Sequence, residues 1–352
     1  MTKLITGADI SFLDEVLQAG GKFYDEGVQA DCLSILTDHG MKAVRLRIWN
    51  DPAGGFCDLE RTLHMARQVK EKGMHLLLCF HYSDLWADPK HQTKPKAWEG
   101  LDFTSLKQAL YDYTEQVLDA LKAQGTTPDM VQIGNEITRG IVWDEGCVSG
   151  HLSESDKQWQ QLTELVKKGI AAVKKVDPAI NIMIHIDQGG DNATSRKFLD
   201  QFERYGVQFD TIGLSFYPWW HGTLKALENN MADLISRYGR DIIIVELAYP
   251  WTITNLTSPS MIVDKEDQLH EGYPATIEGQ AAYMRDLIAL MKSAPEGKCI
   301  GFYYWEPAWI PCQEEWSVGH HNNWSNLTLF DYDGNKLKAM DAIRDAVSIW
   351  KE

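Results

Sequence analysis

Two short stretches place carboxylates where a buried strand has no structural use for them. Val131-Gln132-Ile133-Gly134-Asn135-Glu136 is an apolar run ending in an amide and an acid, the pattern of a buried strand delivering polar groups to its C-terminal tip. Asp241-Ile242-Ile243-Ile244-Val245-Glu246 repeats the arrangement, apolar on both faces as in a parallel sheet and capped by an acid. Either glutamate alone would serve as readily for a structural pair with Lys or Arg as for catalysis. Two at equivalent strand ends favour one reaction centre. Glycosidic cleavage needs such a pair: a proton donor for the leaving oxygen and a second carboxylate across the anomeric carbon. A gap of about 5 to 5.5 Å would give retention through a covalent intermediate, and about 6.5 to 9.5 Å inversion.

Other polar residues gather near the same positions. Asn135 is placed to bind a hydroxyl beside the anomeric centre, and Tyr217 to donate to the nucleophile and hold it. Arg45, Arg47 and Trp49 share one face of their strand by period-two alternation, so at least one guanidinium should point into the mouth of the fold and keep a carboxylate ionised. Arg45 lies deeper, so a purely structural ion pair is expected of Arg45 rather than Arg47. His81 and Asp84 follow another strand-like run, and Asp187 ends a further one, where it would bind a hydroxyl or orient His185.

The elements that must hold these residues alternate along the chain. Strand-like runs begin near Lys3, Lys42, Met74, Asp129, Asn181, Thr211, Asp241 and Cys299, each followed by a helix-like segment. Eight such units without a linker or low-complexity break favour one (β/α)8 TIM barrel over residues 1–352 rather than a doubly wound sheet. The chemistry then belongs at the C-terminal strand ends, where the polar residues do collect. Long loops after those ends, Ser83 to Phe103, Thr138 to Glu154, Tyr249 to Ala275 and Pro307 to Gly334, would build a substrate groove.

Composition narrows the ligand. With 34 Lys+Arg against 50 Asp+Glu the net charge is −16, which argues against nucleic acid or an anionic membrane as partner. Thirteen tryptophans supply flat apolar faces, and with the acidic balance they point to a sugar. Trp86, Trp219 and Trp305 are the expected platforms; Trp98, Trp220, Trp251 and Trp309 lie in the same loops, and Trp159 reads as core. The six cysteines form no CxxC pair and leave a bridge such as Cys57 with Cys147 open. No run has the length of a transmembrane helix, and no signal peptide precedes the first strand. The expectation is a secreted protein whose signal peptide is absent from this chain, or else a cytoplasmic one.

The set Gly7-Ala8-Asp9-Ile10-Ser11, Arg45-Leu46-Arg47-Ile48-Trp49, Phe80-His81-Tyr82-Ser83-Asp84, Trp86-Ala87-Asp88-Pro89, Gln132-Ile133-Gly134-Asn135-Glu136, Ser215-Phe216-Tyr217-Pro218-Trp219-Trp220, Glu246-Leu247-Ala248-Tyr249-Pro250 and Tyr304-Trp305-Glu306-Pro307 resembles the endo-β-1,4-galactanases of glycoside hydrolase family 53. The resemblance spans nearly the whole chain. It implies a retaining barrel with Glu136 as acid/base and Glu246 as nucleophile. The implied substrate is β-1,4-galactan, the side chain of pectin and of type I arabinogalactan. Arg47, His81, Asn135, Tyr217 and Trp305 would surround the cleaved sugar. It also implies a cis peptide between Trp305 and Glu306. Leu247 departs from the small or hydroxyl residue expected after the nucleophile. No cofactor is expected to be required. A structural calcium is a family option for which Asp264, Glu266, Asp267 and Glu271 offer oxygens, but without the spacing of a calcium loop they read as a solvated acidic segment. The remaining expectations are no catalytic metal, a monomer, and galactan or galacto-oligosaccharides as the partner. Rival readings are an endo-β-1,4-mannanase or glucanase of the same clan, a metal-dependent barrel hydrolase using His81, His185 and Asp187, and a non-catalytic sugar-binding barrel.

Overall fold

A computed structural model of the chain describes residues 4–254 and 258–350. Eight parallel strands close into a barrel: β1 Ile5–Asp9, β2 Ala43–Ile48, β3 His75–Phe80, β4 Met130–Ile133, β5 Asn181–Ile186, β6 Thr211–Phe216, β7 Asp241–Leu247 and β8 Cys299–Trp305. Each pairs with its neighbour in chain order, and β8 closes on β1 with Asp9 opposite both Trp305 and Arg45. The helices between are α1 Cys32–Asp38, α2 Leu59–Glu71, α3 Phe103–Gln124, α4 Asp156–Val176, α5 Asn192–Arg204, α6 Leu224–Tyr238 and α7 Ile277–Lys292, and α8 Lys338–Trp350 ends the ring. From α1 to α7 each helix starts on an Asp, Ser or Thr whose side chain accepts a first-turn N–H, which satisfies donors that the helix itself cannot. Helix α3 shows why the ring packs: Leu106, Leu110, Thr114, Val117, Leu118 and Leu121 form one buried stripe at helical spacing.

The eight expected units are all present. The first is more elaborate than the pattern suggested, because a short helix, Leu13–Gln18, and a hairpin of Phe23–Asp25 with Val28–Ala30 precede α1.

The inside of the barrel is layered. Ala43, Leu77, Met130, Met183, Ile243, Val245, Ile300 and Tyr303 fill the lower part as one apolar cluster. Gly7 is small because the Tyr303 ring lies 2.4 Å from where a Cβ would stand. Two residues further along several strands, the inward positions turn polar: Asp9, Arg45, Cys79, Gln132, His185 and Ser215 are all buried. This polar layer is the floor of the site. All six cysteines are free, so Cys57 and Cys147 are not bridged. Among the described residues no helix is long and apolar enough to cross a membrane.

Candidate active site

Glu246 reaches the barrel mouth through an irregularity in β7. Ile243 and Val245 both pack in the inner cluster, so strict alternation would turn the next residue outward. The register with β6 slips there: Leu214 pairs with Ile244, but Ser215 pairs with Glu246. This bulge resets the alternation, and Glu246 lines the open cavity while Leu247 packs against the outer core. Leu247 therefore does not shape the cavity. Glu136 is delivered by a different device. Gly134 adopts φ 76°, and Glu136 itself sits at φ 49°, a region that non-glycine residues rarely occupy.

Both carboxylates are nearly buried and line one cavity of about 670 Å³ at the C-terminal ends of the strands. Their surroundings differ. Glu246 Oε1 lies 2.9 Å from Arg45 Nη1, and its Oε2 accepts the Tyr217 hydroxyl at 3.0 Å. Among the described residues Glu136 meets no cation; its Oε1 accepts the Ser215 hydroxyl at 2.6 Å. Burial raises the proton affinity of both. For Glu136 the charges of Glu246 and Asp187 add to it and push the carboxyl well above the usual range. For Glu246 the Arg45 guanidinium and the Tyr217 phenol oppose it. A proton shared between these two sites therefore resides on Glu136.

Arg45 is the hub of the floor. It donates from Nη1 to Asp9 at 2.8 Å, from Nη2 to Asn135 Oδ1 at 2.7 Å and from Nε to Gln132 at 3.1 Å. The sequence pointed to Arg47 as the partner of the nucleophile; the structure reverses this. Arg47 Nη1 pairs at 2.6 Å with Glu306, among the rings of Phe12, Trp49 and Trp86. The reason is where β2 meets its neighbours. Arg45, deeper in the strand, is level with Asp9, whereas Arg47 rises to the turn after β8.

The remaining expected residues divide. Asn135, His81, Trp86, Asp187, Tyr217 and Trp305 line the cavity. The His81 Nδ1 accepts from the Trp49 indole and the Ala87 N–H, both at 3.1 Å, so its Nε2 carries the hydrogen. Burial and the two arginines keep that ring neutral. Asn135 Nδ2 donates to the Ala87 carbonyl at 2.8 Å, leaving its second hydrogen for a ligand. Asp187 accepts from Thr138 and Gln188 rather than orienting His185. Asp84 does not line the cavity; its carboxylate clamps the Asp51 and Lys96 N–H groups and so braces the loop after β3. Trp219 is also displaced from its expected role, since it packs against Tyr217 while the adjacent Trp220, 58% exposed, faces the cavity. Both rings stand on one turn of helix, Pro218–His221, and sequence spacing did not reveal which would face out.

The Trp305–Glu306 bond is not cis. Glu306 instead makes the turn with φ 47°, its N–H on the Asp9 carbonyl and its carboxylate on the Phe12 N–H. Asp9, Gln132, Ser215 and Trp324 carry parts of the site that sequence reasoning left without a role. Inward alternation from Gly213 to Ser215, with a hydroxyl at a strand end, was the available signal for Ser215. Among the described residues no three His, Cys, Asp or Glu side chains gather as a metal site, and Asp264, Glu266 and Asp267 lie exposed on their loop.

Residues 5–343 match the family model described as glycosyl hydrolase family 53. The chain is 57% identical to an uncharacterized protein in the bgaB 5′ region of Niallia circulans, over 97% of this chain and 93% of that one. It is 36% identical to the arabinogalactan endo-β-1,4-galactanase of Cellvibrio japonicus, over 94% and 87%. Among solved structures, the Ignisphaera aggregans GH53 catalytic domain superposes with a TM-score of 0.91 at 39% identity, covering 98% of this chain and 96% of that one.

Proposed function

The chain belongs to glycosyl hydrolase family 53, and on that premise we propose that it is an endo-acting, retaining hydrolase of β-1,4-galactosidic bonds in galactan and type I arabinogalactan. The observation that carries the assignment of roles is the contrast between the two carboxylates of one cavity, one held beside a guanidinium and one that pairs with no cation among the described residues. The relative named as an arabinogalactan endo-β-1,4-galactanase supports the substrate.

Glu246, ionised beside Arg45 and Tyr217, attacks the anomeric carbon as the glycosidic bond breaks, giving a galactosyl ester. Glu136 gives its proton to the departing oxygen. Now ionised, it takes a proton from water, which attacks the ester and releases Glu246 with the original configuration restored. Neutral His81 donates from Nε2 and Asn135 from Nδ2 to hydroxyls of the reacting sugar, while Trp305, Trp86 and Trp220 offer apolar faces to successive rings. Loops open on one side of the barrel suit a chain entering along its length.

The test is product sizing on β-1,4-galactan with anomeric analysis of early products. Oligosaccharides of mixed length with β configuration are expected. Monomeric galactose released alone from chain ends, or α products, would overturn the reading, and cleavage of mannan or glucan in place of galactan would redirect the substrate.

A further inference from the structure

Among the described residues Glu136 receives a hydrogen bond on one carboxylate oxygen only, and that bond is the end of a chain. Ser215 Oγ lies 2.6 Å from Glu136 Oε1, and His185 Nε2 lies 2.8 Å from Ser215 Oγ. His185 and Ser215 are fully buried. The direction of the chain follows from the other face of the imidazole. Three groups surround His185 Nδ1: the backbone N–H of Glu136 points at it at 3.4 Å, the Gln132 amide nitrogen lies 3.1 Å away, and the Asn135 Oδ1, at 3.0 Å, already accepts from Arg45 Nη2 and Gln132 Nε2. A backbone N–H can only donate, so Nδ1 accepts and the ring hydrogen sits on Nε2. His185 then donates to Ser215, and the Ser215 hydroxyl has its own hydrogen free for Glu136 Oε1. Among the described residues Oε2 has no hydrogen-bond partner, and the side chain opens on the cavity.

Building on the acid/base role given to Glu136 above, we propose that His185 and Ser215 are positioning residues that reserve Oε1 as an acceptor and so place the transferable proton on Oε2, the oxygen facing the cleft. The same one-way chain serves both halves of the cycle. With Glu136 protonated, Oε1 is the carbonyl oxygen; with Glu136 ionised, the serine still donates to it. No reorientation of Ser215 or His185 is needed between the two steps, which is the form of preorganisation that lowers a barrier most directly. The ring can hold this role because it stays neutral: burial, with Arg45, His81 and His221 around it, keeps His185 well below its ordinary range. The charged groups facing Glu136 are Glu246 from β7, Asp187 from β5 and Asp88 from the loop after β3, all of which favour its protonated form, while the Ser215 hydroxyl favours the ionised one.

The experiment compares wild type, Ser215→Ala, Ser215→Thr and Glu136→Ala of the full chain on two substrates: β-1,4-galactan, whose leaving group needs a proton, and 2,4-dinitrophenyl β-galactobioside, whose leaving group does not. For Ser215→Ala the expected result is a loss in kcat/KM of about tenfold or more on galactan and less than about threefold on the aryl glycoside. The basic limb of its pH profile should move upward by about half a unit to one unit, since the ionised carboxylate has lost a donor. Ser215→Thr, which keeps the hydroxyl, should return both quantities toward wild type. An equal loss on both substrates with an unmoved basic limb, or no loss at all, overturns the proposal. Glu136→Ala separates the two claims. If it spares glycosylation by the aryl glycoside while Ser215→Ala shows no leaving-group dependence, only the positioning role fails; if it loses both substrates equally, the acid/base reading fails first.

Discussion

Two arginines stand two residues apart on β2, each buried and each within hydrogen-bond distance of a glutamate, and they serve different ends. Arg45 spends its donors on four polar partners in the barrel floor, one of them Glu246 at the edge of the open cavity. Arg47 has a single carboxylate, and aromatic rings take the place of the other partners. A buried pair of this second kind recovers little net stability over an apolar packing, yet removing one member leaves a charge stranded. The residue types are identical in the two pairs; the function of each is decided by what the second oxygen of its glutamate can reach.

The strongest way to break this comparison is to remove the carboxylates. Glu246→Ala should lower kcat on galactan by on the order of 10⁵-fold, as loss of a nucleophile does elsewhere. Azide should restore part of the turnover and give a glycosyl azide of inverted configuration. Rescue seen only with Glu136→Ala would exchange the two roles.

Removing the cations sharpens the contrast. Arg45→Gln should cost about 10²- to 10³-fold in kcat/KM and move the acid limb of the pH profile upward, because Glu246 must lose its proton without a neighbouring guanidinium. Arg47→Gln should instead lower the unfolding free energy by about 1 to 3 kcal/mol, because the Glu306 carboxyl, pushed up to about 8 by burial, is left buried as a neutral acid, with the folded fraction keeping kcat within about tenfold. Denaturant titration and active-site normalised rates distinguish them. Equal effects of the two variants on rate would mean that Arg47 also acts on the reacting sugar.

A pH slope in stability completes the contrast. Burial pushes Glu306 up to about 8 against the pull of Arg47. A folded-state carboxyl that keeps its proton above the unfolded value near 4 adds stability at low pH, and that stability is lost as pH rises toward 8. Glu306→Gln should flatten this slope in denaturant midpoints measured from pH 4 to 9. An unchanged slope would place its origin in other groups.

Much of this was legible in the sequence. Eight alternating units, the long loops on one face and the two glutamates at strand ends follow from periodicity and from acids placed where a core strand does not want them. What stayed hidden depended on geometry that pattern cannot carry. Alternation correctly put Arg45 and Arg47 on one face, but depth along β2 does not say which carboxylate each will meet. Trp219 and Trp220 are neighbours in one helical turn, and only packing decides that the second faces the cavity. Asp84 looked like a ligand-binding acid because acids at strand ends often are; here it is consumed by backbone donors, one in the loop after β2 and one in its own loop.

The slip in β7 makes the position of the nucleophile a matter of counting. Val245 is the surplus residue that lets two successive side chains turn inward: without it Ile243 and Glu246 would alternate inward directly, and the inner cluster would lose the Val245 side chain while the carboxylate kept its aim. Another barrel could therefore carry the acid on a strand one residue shorter, provided its own core fills the space that Val245 occupies here.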